Sequence, residues 1–265
     1  MSEERVRVEV ADHVAEVRLV RGDKHNALDK AMFEALVGAA LDVAETRGVR
    51  AVLLHGDGPS FCSGLDFPSF LASGVPIEEM LGHKDGDVAN FAQRAAYEWR
   101  RLPVPVIAAL HGVCFGGGLQ IALAADVRIA APDTRMSVME MRYGLIPDMS
   151  LSQTLPRLVR DDVARELVYS GRTVEAAEAL ELGLLTTIED DPLAAARALA
   201  AEIATKSPDA IRAAKRALNE AHGAPPAAGL ALEEELQRAL LGSPNQIAAV
   251  QAALSKQPAE FEDPA

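Results

Sequence analysis

The sequence is poor in cysteine and aromatic residues, and it has no long hydrophobic run. Its 265 residues include two cysteines, Cys62 and Cys114, and their wide separation indicates reduced thiols rather than a disulfide framework or a metal site. The apolar runs fall short of the roughly 20 residues that cross a bilayer, and the first residues lack the apolar stretch of a signal peptide. We therefore expect a cytoplasmic protein with no membrane insertion and no metal.

Positive charge is also scarce. The 39 Asp and Glu residues outnumber 26 Lys and Arg residues, which gives a formal net charge of −13. Nucleic acids and anionic membranes do not complement such a charge, so neither is an expected partner. A small anionic ligand needs only a few local cations, and Arg21, Lys24 and His25 crowd together in RGDKHNAL. A solvated charged turn is the alternative for each of these three residues.

Hydrophobic patterning predicts a mixed α/β fold. Short apolar or alternating segments, which predict strands, lie at 6–10, 13–19, 51–55, 104–110, 127–130, 136–139 and 184–188. Asp29 is placed to cap a helix, and a second amphipathic helix is predicted over 87–101. Strand, strand, helix recurs in the first half, which predicts a spiral of stacked ββα units. We expect this spiral core over 1–200 and a C-terminal helical oligomerisation region over 201–265.

Two stretches stand out from this regular pattern. Gly116, Gly117 and Gly118 join a buried strand to an apolar helix, whose first amides have no intrahelical partner and lie at the positive end of its dipole. Such a helix start binds negative charge, although a tight packed turn is the alternative, and the spacing is not that of a dinucleotide site. Residues 68–86 are rich in Gly and Pro without a steady period, which is typical of a mobile excursion over a binding cleft.

Four blocks in order carry a family resemblance: GDGPSFCSGLDF, HGVCFGGGLQIALAADVRIA, MSVMEMRYGLIPD and LVYSGRTVEAAEALELGLL. Together they resemble the crotonase (enoyl-CoA hydratase/isomerase) superfamily over nearly the whole chain. The resemblance implies the ββα spiral, a homotrimer or dimer of trimers, and an acyl-CoA thioester as substrate. It implies no separate cofactor, because coenzyme A is part of the substrate.

The resemblance also assigns binding positions. The backbone amides of Leu65 and Gly117 would form an oxyanion hole, which holds the thioester oxygen as it gains charge in an enolate-like transition state. The remaining expected substrate-binding positions are Lys24, His25, Asn26, Ala27, Leu28, Ser63, Gly64, Asp66 and Gly116, with Asp66 also holding its turn. Lys256 and Phe261 resemble family positions that reach the nucleotide or acyl tunnel.

Three further positions concern proton transfer. Gln120 stands where the two-carboxylate hydratases of the family place an acid, and an amide is no general base near neutral pH. Glu140 matches the second acid; burial among its apolar neighbours would raise its pKa, and a surface glutamate that caps a turn is the alternative. Asp148 resembles an aspartate of the Δ3,5-Δ2,4-dienoyl-CoA isomerase branch, although that branch has an aspartate in place of Gln120. The alternative for Asp148 is an N-cap of the helix near Ser150.

These positions lead to a functional hypothesis. Glu140 would move a proton between the α and γ carbons of an enoyl-CoA, assisted by Asp148, while Gln120 orients substrate or water. A hydratase that uses Glu140 with Asp148 is one alternative, and a non-catalytic acyl-CoA-binding paralogue is another. A serine hydrolase is a third, since some peptidases share the fold, but the chain has neither a GxSxG elbow nor a compelling Ser/His/Asp spacing.

Overall fold

The computed structural model describes residues 4–74, 76–83 and 86–264. Its strands are β1 (Val6–Ala11), β2 (Val14–Leu19), β3 (Ala51–Gly56), β4 (Val106–Leu110), β5 (Val113–Phe115), β6 (Val127–Ala130), β7 (Arg135–Ser137), β8 (Val174–Glu175) and β9 (Thr187–Ile188). Its helices are α1 (Lys30–Glu45), α2 (Phe67–Ser73), α3 (Ile77–Leu81), α4 (Phe91–Arg101), α5 (Gly117–Ala124), α6 (Leu151–Thr154), α7 (Asp161–Ser170), α8 (Ala176–Leu182), α9 (Pro192–Ala204), α10 (Pro208–Glu220), α11 (Pro226–Leu240) and α12 (Pro244–Ser255). Short 3-10 turns lie at Gly22–Lys24, Glu140–Tyr143 and Leu155–Arg157.

Two sheets carry the fold. The larger sheet has the order β1-β2-β3-β4-β6-β9 and is parallel except for the β1–β2 hairpin. The smaller sheet has the order β5-β7-β8, with β5 and β7 parallel. The chain passes from β4 to β5 and from β6 to β7, so each time it leaves the larger sheet for the smaller one and then enters a helical segment. This repeat is the ββα unit that the sequence predicts.

Helices cover both faces of the larger sheet. α1, α4 and α5 pack on one face and share a large core that includes Trp99, whereas α9 covers the other face with Ala196 and Ala200. β3 and β4 are therefore buried along their whole length, as expected for parallel strands between two helical layers. The predicted cap of α1 is confirmed, because the Asp29 carboxylate accepts a hydrogen bond from the Met32 amide.

Several predicted boundaries were wrong for local reasons. The strand predicted over 136–139 ends at Ser137, and the chain turns into the 3-10 segment that contains Glu140. Most of the strand predicted over 184–188 does not pair in a sheet, because the Leu184 amide binds the Ala179 carbonyl at the end of α8. The second amphipathic helix begins at Phe91, where Asn90 forms a capping box with Gln93.

The stretch 68–86 also differs from its prediction. It contains most of α2 and all of α3, although no steady helical period marks them in the sequence. Val75, Lys84 and Asp85, which fall in this excursion, lie outside the described residues. The excursion is therefore largely helical where the structure describes it.

The C-terminal helices are tied to the sheet by buried charged groups. The Lys215 ammonium, on α10, binds the Asp126 carboxylate at 2.7 Å and the Val104 carbonyl at 2.8 Å. Arg50 is buried just before β3 and donates to the Asp263 carboxylate at 2.9 Å and to the Phe261 carbonyl at 3.1 Å. The boundary proposed at residue 200 falls within α9, so the division into a core and a tail stays a prediction. Across the described residues, every helix is too short or too polar to cross a bilayer.

Candidate active site

A cavity of about 580 Å³ lies where the loop after β3 and the start of α5 face residues 139–149. Ser63, Gly64, Leu65, Gly116 and Gly117 form one part of its wall, and Glu140 and Asp148 line another part. The remaining lining is mainly apolar and comes from α1, α2, α3, α4 and the segment after β7. The structure therefore brings together most of the oxyanion-hole, acid and glycine positions predicted from the sequence.

The two glycine-containing segments run side by side. The Cys62 amide binds the Val113 carbonyl at 3.2 Å, and the Phe115 amide binds the Cys62 carbonyl at 3.0 Å. Gly64 has a φ of +87°, and a Cβ at this position would lie 2.8 Å from the Phe115 carbonyl oxygen. Glycine is required here because a side chain would push the two segments apart. This packing fixes Leu65 beside the start of α5.

Leu65 and Gly117 both line the cavity. Among the described residues, neither backbone amide has a hydrogen-bond acceptor. Gly117 is the first residue of α5, where the helix dipole adds positive potential. Two free amides at one cavity wall can bind an oxygen that becomes negatively charged, as the predicted oxyanion hole requires.

The glycine triplet also packs tightly. A Cβ on Gly118 would lie 2.5 Å from the Cys62 carbonyl oxygen, and one on Gly117 would lie 2.7 Å from Leu28 Cδ1. Gly116 has a φ of +53°, and its Cβ would approach Glu140 Oε1 to 3.3 Å. The packed turn, which is the alternative to an anion site, is therefore present, and among the described residues the Gly117 amide still has no acceptor.

Gln120 is buried in α5 and is held at both ends of its amide. Its Nε2 donates to Glu140 Oε1 at 2.6 Å, and its Oε1 accepts from the Met149 amide at 2.8 Å. The side chain thus binds the carboxylate and the loop that carries Asp148. In this arrangement Gln120 positions Glu140.

Glu140 lies in the 3-10 turn after β7, and its Oε2 is buried without a hydrogen-bond partner among the described residues. Burial raises the pKa of this carboxyl. Hydrogen bonds from its own amide and from Gln120 act in the opposite direction, and the nearby Asp148 charge raises the pKa further. The alternative of a surface glutamate is wrong, because Oε2 is hidden from solvent.

Asp148 lines the same cavity, and burial raises its pKa as well. The alternative role as a helix N-cap is wrong. Ser150, not Asp148, is the N-cap residue of α6; it has a left-handed conformation, and no described side chain caps this helix. Two carboxyl groups with raised pKa values therefore share one largely apolar cavity, which is an arrangement suited to proton transfer near neutral pH.

The segment 24–28 meets the cavity only at Leu28 among the described lining residues. Asn26 is fully buried, and its amide nitrogen donates to the carbonyls of Asp57, Ser60 and Phe61. Its side chain therefore holds two loops together. Lys24 and His25 are exposed beside the cavity-lining part of this segment, Ala27 is half-buried, and His25 Nδ1 lies 2.9 Å from Ser60 Oγ.

Asp66 holds its turn, as predicted, by capping α2. Its carboxylate accepts from the Ser69 amide at 3.0 Å and pairs with Arg21 at 2.8 Å. The side chains of this pair are mostly buried, which fixes the loop that carries Leu65. Lys256 ends α12 and the Phe261 carbonyl binds Arg50, and neither residue is among those that line the cavity.

Sequence reasoning missed most of the apolar wall. Phe33, Phe67, Phe70, Tyr143 and Ile146 all line the cavity, and the Phe67 and Tyr143 rings lie 4.4 Å apart. Phe33 has the same helical spacing as the core residues of α1, so periodicity alone does not separate a lining residue from a core residue. The tilted Phe67–Tyr143 pair joins the start of α2 to the segment that carries Glu140.

Comparisons with known proteins agree with this fold. The enoyl-CoA hydratase/isomerase family model matches residues 9–264. A Bacillus subtilis (strain 168) protein named "Probable enoyl-CoA hydratase" is 36% identical over 205 residues, which are 76% of each chain. The mitochondrial Delta(3,5)-Delta(2,4)-dienoyl-CoA isomerase of Mus musculus is 33% identical over 217 residues, or 77% of this chain and 64% of that protein.

A solved structure extends the comparison to the fold. The enoyl-CoA hydratase of Bacillus anthracis superposes with a TM-score of 0.88 at 29% identity, over 97% of this chain and 99% of that one. The predicted mixed α/β spiral with C-terminal helices is thereby confirmed. The match over nearly the whole chain, together with the cavity and its two carboxyl groups, assigns this protein to the enoyl-CoA hydratase/isomerase family.

Proposed function

We propose that the protein isomerises the double bond of an enoyl-CoA thioester, with Glu140 as the proton-transfer base and no separate cofactor. This proposal is carried by the buried Oε2 of Glu140, in the cavity that also contains the amides of Leu65 and Gly117; within the described part of the chain, none of these three groups has a hydrogen-bond partner. A carboxylate oxygen without a partner is available to a substrate proton. The two amides are available to the thioester oxygen.

The reaction has two proton transfers. Glu140 removes a proton from the α carbon of a 3-enoyl thioester, and the C–H electrons move toward the thioester oxygen between Leu65 and Gly117. The resulting dienolate then takes the proton back from Glu140 at the γ carbon, which moves the double bond to the 2-position. One base serves both steps, because the proton leaves and returns on the same carboxyl group.

Gln120 favours isomerisation over hydration. A hydratase must activate a water molecule and deliver a proton, and Gln120 replaces one of the two acids that family hydratases use for this. Isomerisation needs one well-placed base. The Gln120 amide holds Glu140 in place for this role by donating a hydrogen bond to its Oε1. The Gln120 amide is hydrogen-bonded to both the Met149 amide and the Glu140 carboxylate, which supports a positioning role for Gln120.

Hydration is the second candidate, and Asp148 is the observation that favours it. Its carboxyl group lies in the same cavity with a raised pKa, so it can act as an acid while Glu140 acts as a base. Hydration would then use two carboxyl groups from the segment after β7. The same pair would suit a 3,5-dienoyl thioester, as in the isomerase relative.

Purified protein should be assayed with 3-enoyl-, 2-enoyl- and 3,5-dienoyl-CoA, beside Glu140→Gln and Asp148→Asn. We expect Glu140→Gln to lower kcat about 100- to 10,000-fold on every accepted substrate, as loss of a general base does. Glu79→Gln, which removes an exposed carboxylate outside the cavity lining, is the matched control. Full activity of Glu140→Gln would show that the proposed base is wrong.

The other outcomes separate the candidates. Turnover of 3-enoyl-CoA without hydration of 2-enoyl-CoA supports the isomerase. Hydration that is lost in both variants supports the two-acid hydratase. Binding of these esters without turnover of any of them would instead identify an acyl-CoA-binding paralogue.

A further inference from the structure

A second cavity, of about 710 Å³, lies between the end of α4 and helices α10 and α11. Of the described residues, none lines both cavities. Lys215 lines the second one and binds the Val104 carbonyl just before β4, so this cavity lies beyond the amino end of β4. The catalytic cavity follows the other end of the same strand.

The second cavity concentrates positive charge in a protein whose net charge is −13. Arg100, Arg157 and Arg212 line it, and among the described residues none of the three has a carboxylate partner. Arg212 Nε is buried and makes no hydrogen bond to any residue that the structure describes. Arg100 and Arg157 line the same cavity, and burial and then the positive charge of Arg157 lower the pKa of Arg100, whereas the charge of Asp126 raises it.

The acids at this cavity are already engaged. Glu220 binds Arg216 at 3.1 Å, and Asp209 accepts from the Asn245 amide at 2.7 Å. Asp126, nearby, binds Lys215. In the described part of the chain, three guanidinium groups therefore surround one space without an ion-paired carboxylate, and only the charge of Asp126 acts on Arg100 from farther away.

We propose that this cavity binds a nucleoside diphosphate or a related organic phosphate. Guanidinium groups bind phosphate oxygens through paired N–H donors, and several of them suit a ligand with two or more charges. The Tyr97 ring and the side chains of Leu102, Leu236 and Leu240 provide an apolar side for the organic part. The volume is within the range of small-molecule sites.

Calorimetric titration of the full chain with ADP tests the proposal. We expect one ADP to bind outside the catalytic cavity, and Arg100→Gln and Arg212→Gln each to weaken this binding about tenfold, as the loss of a charged hydrogen bond does. Arg238→Gln is the matched control, because Arg238 pairs with Glu234 on α11 and does not line the cavity. It should bind ADP within about twofold of the unaltered protein.

Further arms distinguish the sources of binding. Weaker binding of inorganic pyrophosphate than of ADP supports a site for the whole nucleotide, and Lys24→Ala should leave ADP binding intact. Thermal melting identifies any variant that does not fold. If one arginine variant does not fold, the ADP affinity of the other one tests the proposal. Failure of millimolar ADP to bind, or weakening by Lys24→Ala with unchanged arginine variants, would overturn the proposal. The proposal would also be overturned if ADP did not bind and the arginine variants had a lower molecular mass in solution than the unaltered protein. That result would mean that acidic residues of a second copy occupy the cavity.

Discussion

At the scale of single residues, burial raises the pKa of Glu140, and two neighbours then shift this pKa in opposite directions. The Asp148 charge raises the pKa of Glu140, and the Gln120 amide lowers it by donating to Oε1. A base acts only when it is deprotonated, so activity should fall as the pH drops through the pKa of Glu140. The position of this acid limb therefore reports the pKa that burial and the two neighbours set together.

We expect Asp148→Asn to move the acid limb of kcat/KM to lower pH, because it removes a negative charge. Gln120→Met should move the limb to higher pH, because it removes a hydrogen-bond donor to the Glu140 carboxylate. It should also lower kcat, because the Glu140 side chain is then no longer held in position. The measurement is the pH profile of the proposed isomerisation, with Gln153→Met, an exposed glutamine on α6, as control. Shifts of the same sign in both variants would contradict this account.

At the scale of elements, the start of α5 depends on glycine for space rather than for flexibility alone. Gly118→Ala would place a methyl group 2.5 Å from the Cys62 carbonyl oxygen, so the two segments of the predicted oxyanion hole must separate. We expect a loss of several kcal/mol in the free energy of unfolding and a loss of activity. Chemical denaturation and the enoyl-CoA assay measure these two effects.

Gly38→Ala is the matched change within a helix. Outside the backbone of α1 itself, no described atom lies within 4 Å of a Cβ at Gly38, so the methyl group meets open space. Here we expect a gain of about 0.5–1 kcal/mol, because alanine loses less backbone entropy in a helix. Equal effects at the two glycines would show that helix propensity, not the contact with Cys62, decides the result.

The elements also show what the sequence predicts well. The β1–β2 hairpin, the cap at Asp29 and the glycine turn before α5 follow from short-range patterns, because turn and cap residues act within a few positions. The role of Asn26 does not follow, since its three carbonyl partners lie more than 30 positions away. The hydrogen bond between Gln120 and Glu140 does not follow from short-range patterns either, because the fold brings the two residues together. The family resemblance marks both positions but not their contact.

At the scale of the whole molecule, the C-terminal helices leave large apolar side chains uncovered. Leu218 is 76% exposed and Leu254 is 82% exposed, and both lie in the region predicted to form oligomers. We expect light scattering to give three or six times the 28.1 kDa mass of the chain. Burial of such side chains between copies would supply part of the association free energy.

Leu218→Asp and Leu254→Asp should lower this mass, because a charge replaces an apolar contact. Leu71→Asp is the control: Leu71 is 84% exposed but lies on α2, far along the chain from the C-terminal helices. A monomeric unaltered protein would refute the predicted assembly. Loss of the assembly in the Leu71 variant alone would place the interface elsewhere.

The long sequence separation between Arg50 and its partner Asp263 limits when their contact can form during synthesis. Arg50 is buried next to β3, yet Asp263, its carboxylate partner, follows 213 positions later. At translation rates of about 5–20 residues per second, that partner emerges roughly 10 to 40 s after the strand it serves. During this interval the guanidinium group lacks its carboxylate partner, so the contact that holds residues 261–263 beside β3 forms only after the C-terminal helices have been synthesised.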